Sequence, residues 1–198
     1  MRLVLASRSA ARRAMLDAAG VAYDVEPADL DEAAVTAALI AAGAPPRDIA
    51  DRLSEMKAVK VSARAGDALV LGSDSVVALA DGTLLDKPAT RDDAARQLAA
   101  LSGTRHDLFS AAVIAQHGRP VWRQVDRARL SVRPLSSTFI EAYLDAEWPA
   151  IAGCVGGYRI EGRGVQLFAA IEGSHFTILG LPLIGLLDYM RVRGVVAA

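Results

Sequence analysis

The sequence predicts an α/β protein that folds as a single domain over residues 1–198, and three observations point there. Short aliphatic runs such as Leu3-Val4-Leu5 and Leu69-Val70-Leu71 alternate with stretches of helical period. At 198 residues the chain is long enough for one substantial core, in one or two lobes, without disulfide or metal staples. No internal repeat and no low-complexity linker interrupts it.

Leu3 to Leu5 reads as a short buried strand, followed by Ser7 and Ser9 as N-cap candidates for a helix from about Ala10 to Ala19, closed by Gly20. Val21 to Pro27 alternates as a strand does and leads into a polar connection holding Asp29, Asp31 and Glu32. A helical stretch covers Ala33 to Ala42, with Asp31 and Glu32 placed to cap it, and Ala44-Pro45-Pro46 ends it. The next helix starts near Pro46 and carries Ile49, Leu53 and Met56 inward, with Lys57 at the border of that face. The run 69–88 gives a strand, a turn at Ala80-Asp81-Gly82 and a short return strand from Thr83 to Leu85.

Thr90-Arg91-Asp92-Asp93 resembles a capping box and opens a helix with Ala94, Leu98 and Leu101 inward, stopped by Ser102-Gly103. Two strands, Leu108 to Ala115 and Val121 to Val132, join through His117-Gly118-Arg119; in the second, Arg123 and Arg127 mark a solvated face. A helix follows from about Ser136, bearing Phe139, Ile140, Tyr143 and Leu144, and ends before Trp148-Pro149. Gly153 to Gly164 is glycine-rich without forming a GxxxxGK[ST] loop. Val165 to Ile171 reads as a strand, and Leu181-Pro182 opens a last helix with Leu183, Leu187 and Met190 inward, ending at Gly194.

Charge excludes some classes. With 22 basic and 23 acidic residues the chain has no bias toward a nucleic acid polymer or an anionic membrane, so any anion site must be built locally. No apolar run approaches the ~20 residues that span a bilayer, and the apolar part of the N-terminus is too short for a signal peptide. Cys154 is the single cysteine, which argues for a reducing compartment; His106, His117 and His175 lack ligand spacing. All four read as structural residues.

Two local anomalies carry chemistry. Asp74 is the one ionisable residue in the apolar run of its strand, and a carboxylate there is costly unless paired or coordinated. Lys87 and a divalent metal are candidate partners; the alternative is a strand-end Asp that turns the chain through its own backbone. Arg12 and Arg13 fall near the start of the first helix, where the dipole disfavours cations by roughly 0.3–1 kcal/mol each. A strand, a serine turn and a helix start with two guanidinium groups make an anion site. Lys57 is placed to snorkel toward a phosphate, and the 29–32 carboxylates to complete a metal site with Asp74.

The motifs LASRSAARRAML, LDE at 30–32, RLSEMKA at 52–58, GSDSVV followed by DKP, LSG at 101–103 and ILGLPL together resemble the Maf family of nucleotide pyrophosphatases, from Leu3 to about Leu187. The resemblance implies a two-lobed Maf/ITPase-like fold: a mixed, twisted central sheet flanked by helices, with the nucleotide in a cleft between the lobes. It also implies cytoplasmic hydrolysis of a nucleoside triphosphate between the α- and β-phosphates, with Mg²⁺ or Mn²⁺. By position, Asp74 matches the family's proton acceptor and Ser7, Arg12, Lys57 and Lys87 its phosphate-binding residues. Arg13 adds a second guanidinium, and Glu32 joins Asp74 as a metal ligand. The nucleoside triphosphate is the expected partner, and a homodimer stays open.

Where the family's SxSPRR is usual, this chain has Ser7-Arg8-Ser9-Ala10-Ala11-Arg12, without the proline. Ala11, Ser75 and Glu161 occupy the positions expected to set base preference. Glu161 stands where the branch preferring dTTP and UTP has Gln, and with the Arg12-Arg13 pair it resembles the branch preferring 7-methyl-GTP. Ala11 withholds an aromatic that would stack on a methylated base. The alternatives are a dTTP/UTP pyrophosphatase, a nucleotide-binding regulator of cell division with incidental turnover, and an unrelated phosphate-ester hydrolase.

Overall fold

The structure is a computed structural model, described here for residues 2–197. It contains a mixed seven-stranded sheet flanked by helices. The strands are β1 (Leu3–Leu5), β2 (Asp24–Val25), β3 (Leu69–Leu79), β4 (Leu84–Leu85), β5 (Arg105–Gln116), β6 (Arg119–Val132) and β7 (Phe168–Glu172). The helices are α1 (Ala10–Ala18), α2 (Glu32–Ala41), α3 (Pro46–Ser62), α4 (Arg91–Leu101), α5 (Ser137–Glu147), α6 (His175–Ile178) and α7 (Leu183–Val192). The sheet runs β2-β1-β3-β5-β6-β7, with β4 paired on β3. β1 is parallel to both β2 and β3, with Val4 opposite Asp24 and Val70; β4 and β7 join antiparallel.

The chain divides into two compact units, and the division falls within β3, β5 and β6. The first comprises residues 1–75, 109–126 and 180–198. Its core layers Val4, Ala6 and Val70 against Val61 of α3 and Ala68. One contact fixes α3 on β3: a Cβ at Gly72 would lie 2.2 Å from the Ser54 carbonyl oxygen and 2.6 Å from the Ala58 nitrogen. Glycine therefore lets helix and strand backbones meet, and this approach sets how far a side chain one turn along α3 reaches toward β3. Ser54, fully buried at the contact, donates to the Ala50 carbonyl at 2.7 Å or that of Ala111 at 3.1 Å.

The second unit comprises residues 76–108 and 127–179. Its core packs Leu98 and Leu101 of α4 and Ile140, Tyr143 and Leu144 of α5 around Leu108, Leu130, Ile151 and Tyr158. Thr90 caps α4, its side chain accepting the Asp93 N–H at 3.1 Å. The Asp93 carboxylate returns to the Ala89 N–H at 3.1 Å, one residue earlier than an ideal capping box.

Several elements differ from the sequence-based expectation. The strand expected over 21–27 shortens to Asp24–Val25, because only Val4 and Leu5 lie alongside to pair with it. The glycine-rich passage forms three 3₁₀ turns, Ala150–Gly153, Val155–Gly157 and Arg163–Leu167, so β7 begins at Phe168 instead of Val165. Gly164 shows why: a Cβ there would lie 2.3 Å from the Arg159 carbonyl oxygen, so the segment closes on itself. In α7 the buried positions are Leu183, Leu186 and Met190, and Leu187 is only half-buried.

Candidate active site

The first unit gathers Ser7, Arg12, Glu32, Lys57, Asp74 and Ser75. Ser7 follows β1, and its hydroxyl accepts the Ser9 N–H at 3.2 Å, shaping the turn into α1. Ser9 caps that helix by accepting the Arg12 N–H at 3.4 Å, a device contributing about 1 kcal/mol. Arg12 thus leaves the first turn of α1 into the interior and is only 8 % exposed. Its Nε donates to the Gly180 carbonyl at 2.9 Å, Nη1 to the Ser7 hydroxyl at 3.3 Å and Nη2 to the Ser75 hydroxyl at 3.1 Å. Burial lowers the pKa of the guanidinium, and the nearby Asp74 and Glu32 carboxylates oppose that shift.

Asp74 is 9 % exposed, near the middle of β3. Its partner is Lys57, whose Nζ lies 2.5 Å from Asp74 Oδ1 and 2.9 Å from Glu32 Oε1. Lys57 does not border the apolar face as its spacing suggested; at 5 % exposure it is buried, because the Gly72 contact draws α3 onto β3. Asp31 caps α2 by accepting the Ala34 N–H at 3.0 Å, which turns Glu32 of the first helical turn toward Lys57. Asp29 and Asp31 are exposed, so of the 29–32 carboxylates Glu32 alone reaches the cluster.

The two carboxylates converge on one positive point. Their oxygens form a donor set that suits Mg²⁺ or Mn²⁺, hard cations that keep several waters and take the remaining oxygens from substrate phosphates. Among the described residues no three His, Cys, Asp or Glu side chains are grouped to hold a metal. Glu32 and Asp74 are the side chains here that could hold such an ion.

The other expected site residues lie elsewhere. Arg13 is exposed on α1. Ala11 is half-buried. Lys87 and Glu161 are exposed residues of the second unit, and both act electrostatically on Cys154. Burial raises the Cys154 thiol; Glu161 adds to the shift, while Arg159 and Lys87 oppose it. A thiol held in this direction resists ionisation, in keeping with a structural role.

Four residues that the sequence reading gave no role complete the cluster. Ser73, fully buried, lies 2.7 Å from the Ala111 carbonyl oxygen and 2.9 Å from that of Gly180. Ser110 shares a 2.8 Å hydrogen bond with Ser75. Gly180 and Gly72 act through backbone, and the only sequence signal for Gly180 was its place in ILGLPL. In the second unit Glu147, buried at the end of α5, accepts the Arg163 N–H at 3.0 Å and lies 3.4 Å from Arg159 Nε.

The family model described as Maf-like protein matches residues 2–193. The chain is 52 % identical over 196 residues to nucleoside triphosphate pyrophosphatase 1 of Jannaschia sp. (strain CCS1), covering 99 % of this chain and 98 % of the relative. It is 50 % identical over 194 residues to the nucleoside triphosphate pyrophosphatase of Sphingopyxis alaskensis, covering 98 % of each. A solved structure from Mycobacterium abscessus, titled nucleoside-triphosphatase / dITP/XTP pyrophosphatase, is 16 % identical with a TM-score of 0.45, covering 98 % of this chain and 96 % of that one. A family match over nearly the whole sequence and relatives near half identity lead to one conclusion: the chain belongs to the Maf-like protein family.

Proposed function

We propose that this protein is a nucleoside triphosphate pyrophosphatase that cleaves the bond between the α- and β-phosphates and releases a nucleoside monophosphate and pyrophosphate. The observation that carries the reading is the buried cluster of the first unit, where Lys57 joins Asp74 and Glu32 within electrostatic reach of Arg12. Phosphoryl transfer needs positioning and charge neutralisation more than covalent chemistry, and this cluster offers cations beside a carboxylate.

In this reading Arg12 and Lys57 hold the polyphosphate oxygens, with Ser7 fixing the Arg12 side chain. Asp74 accepts a proton from the attacking water, whose oxygen bonds to the α-phosphorus while the bond to the α–β bridging oxygen breaks. Pyrophosphate leaves with that oxygen. A divalent ion held by Glu32 and Asp74 would supply charge neutralisation on the phosphates. Lys87 is assigned to the phosphates, and Ala11, Ser75 and Glu161 to the choice of base. A carboxylate at Glu161 can accept N–H bonds from a guanine edge, which favours a modified purine such as 7-methyl-GTP over dTTP or UTP.

A panel of standard and methylated triphosphates with Mg²⁺ or Mn²⁺ tests this, phosphate being read with and without added inorganic pyrophosphatase. The expected signal depends on the added enzyme and on the metal, and is highest with 7-methyl-GTP. Direct release of orthophosphate would overturn the reaction; preference for dTTP or UTP would overturn the base assignment. Tight binding with no turnover would favour the regulatory alternative.

A further inference from the structure

The guanidinium of Arg12 has five N–H groups, and three of them are used: Nε on the Gly180 carbonyl, one on Ser7 and one on Ser75. The count leaves one N–H on each terminal nitrogen. A planar group tethered at Nε and at both ends can neither turn about its long axis nor withdraw, so the two remaining donors keep fixed directions in which phosphate oxygens can meet them.

Gly180 supplies the tether at Nε, and the residue there has little freedom. Its φ is +104°, a region that side-chain-bearing residues rarely adopt, and a Cβ would stand 3.2 Å from Arg12 Nε and 3.3 Å from the Ser75 hydroxyl. Buried Leu181 and Pro182 follow, so the peptide that presents the carbonyl is anchored on its C-terminal side. The same carbonyl oxygen lies 2.9 Å from the Ser73 hydroxyl, on the residue next to Asp74; the single proton of that hydroxyl goes either there or to the Ala111 carbonyl at 2.7 Å. We propose that Gly180 is a positioning residue for the reaction: its carbonyl, steadied by Ser73, sets the plane in which Arg12 offers its two free N–H groups to the triphosphate. The inference rests on the reading of Arg12 as a phosphate ligand. It adds that the arginine works only when aimed by the Gly180 backbone.

A double-mutant cycle in kcat/KM tests it, using Gly180→Ala, Arg12→Lys and the pair, with thermal melting to confirm folding. Lysine keeps the charge but lacks the fork and the Nε donor. Displacing the guanidinium by about an ångström is expected to make Gly180→Ala lose about 10- to 100-fold. In the Arg12→Lys background the same change is expected to lose less than about threefold, because no guanidinium remains to be aimed. Equal losses in both backgrounds would show that Gly180 acts independently of Arg12 and overturn the inference alone. An Arg12→Lys protein with unchanged kcat/KM would overturn the reading of Arg12 itself, and the inference with it. If Gly180→Ala does not fold, Ser73→Ala takes its place in the cycle. Its expected loss is smaller, about three- to tenfold, and again absent with Arg12→Lys; an unchanged kcat/KM for Ser73→Ala would then overturn the inference.

Discussion

The two units bury charge in different ways. In the first, Arg12 has three acceptors and Lys57 has two carboxylates, so both buried cations are held in place. In the second, Glu147 and Arg159 form an ion pair at 3.4 Å, yet Glu147 Oε2 and Arg159 Nε reach no hydrogen-bond partner among the described residues. The His106 ring there meets the Tyr158 hydroxyl at 2.9 Å through Nε2, while its Nδ1 is buried without a partner. Groups already held in place need no reorganisation when charge develops beside them, which suits them to chemistry. A buried imidazole with one unpaired nitrogen is disfavoured in its charged form. The cation–carboxylate cluster of the proposed reaction lies in the first unit, and the buried imidazole of His106 in the second.

Variants that break each side of this contrast follow, from the largest effect. Asp74→Asn keeps the shape of the side chain but removes its capacity to take a proton, so kcat/KM is expected to fall by about 10²- to 10⁴-fold in a steady-state assay. Lys57→Met leaves the buried Asp74 carboxylate without its partner and is expected to cost about 3–5 kcal/mol in urea unfolding. A loss of less than about 1 kcal/mol would mean that the pair is not the organising contact of the first unit.

The second unit predicts a pH effect. Burial lowers the pKa of His106 from 6.5 to about 4, with Asp107 opposing. Between these values the unfolded chain binds a proton that the folded one does not. Stability is therefore complete above about pH 6.5 and falls as acid is added, by about 3 kcal/mol on reaching pH 4. His106→Phe is expected to flatten that part of the stability profile measured by urea titration; an unchanged slope would remove His106 as its cause.

Smaller effects sharpen the comparison further. Gly72→Ala is expected to cost about 1–3 kcal/mol by thermal melting, since its Cβ meets the backbone of α3, and to lower activity by moving Lys57 away from Asp74. Arg91 bridges Glu141 and Asp145 at 2.7 and 2.6 Å on the surface of the second unit. Surface pairs of this kind contribute little, so Arg91→Ala is expected to leave the melting temperature within error.

Part of the candidate cluster could be read from the residues alone because its members break local rules. Asp74 stands alone among aliphatic residues, and Arg12 opposes the dipole of its own helix. Pairing across the fold left no such trace: the sequence offered Lys87 or a metal as the partner of Asp74, whereas the structure pairs it with Lys57, because Gly72, lacking a side chain, lets α3 approach β3. Gly180, Ser73 and Ser110 act through a carbonyl and two hydroxyls, groups that leave no periodic sign. The fold follows the same division. Elements with strong aliphatic period appear where expected, while the passage from 150 to 167 closes into 3₁₀ turns dictated by contacts such as Gly164 against Arg159.

The most direct test of the account follows the oxygen of the attacking water. Turnover of a triphosphate in ¹⁸O-labelled water, read by ³¹P NMR in parallel with the Asp74→Asn protein, is predicted to place the label in the nucleoside monophosphate, with unlabelled pyrophosphate as co-product and almost no turnover in the variant. Label in orthophosphate, or an Asp74→Asn protein as active as the parent, would contradict it.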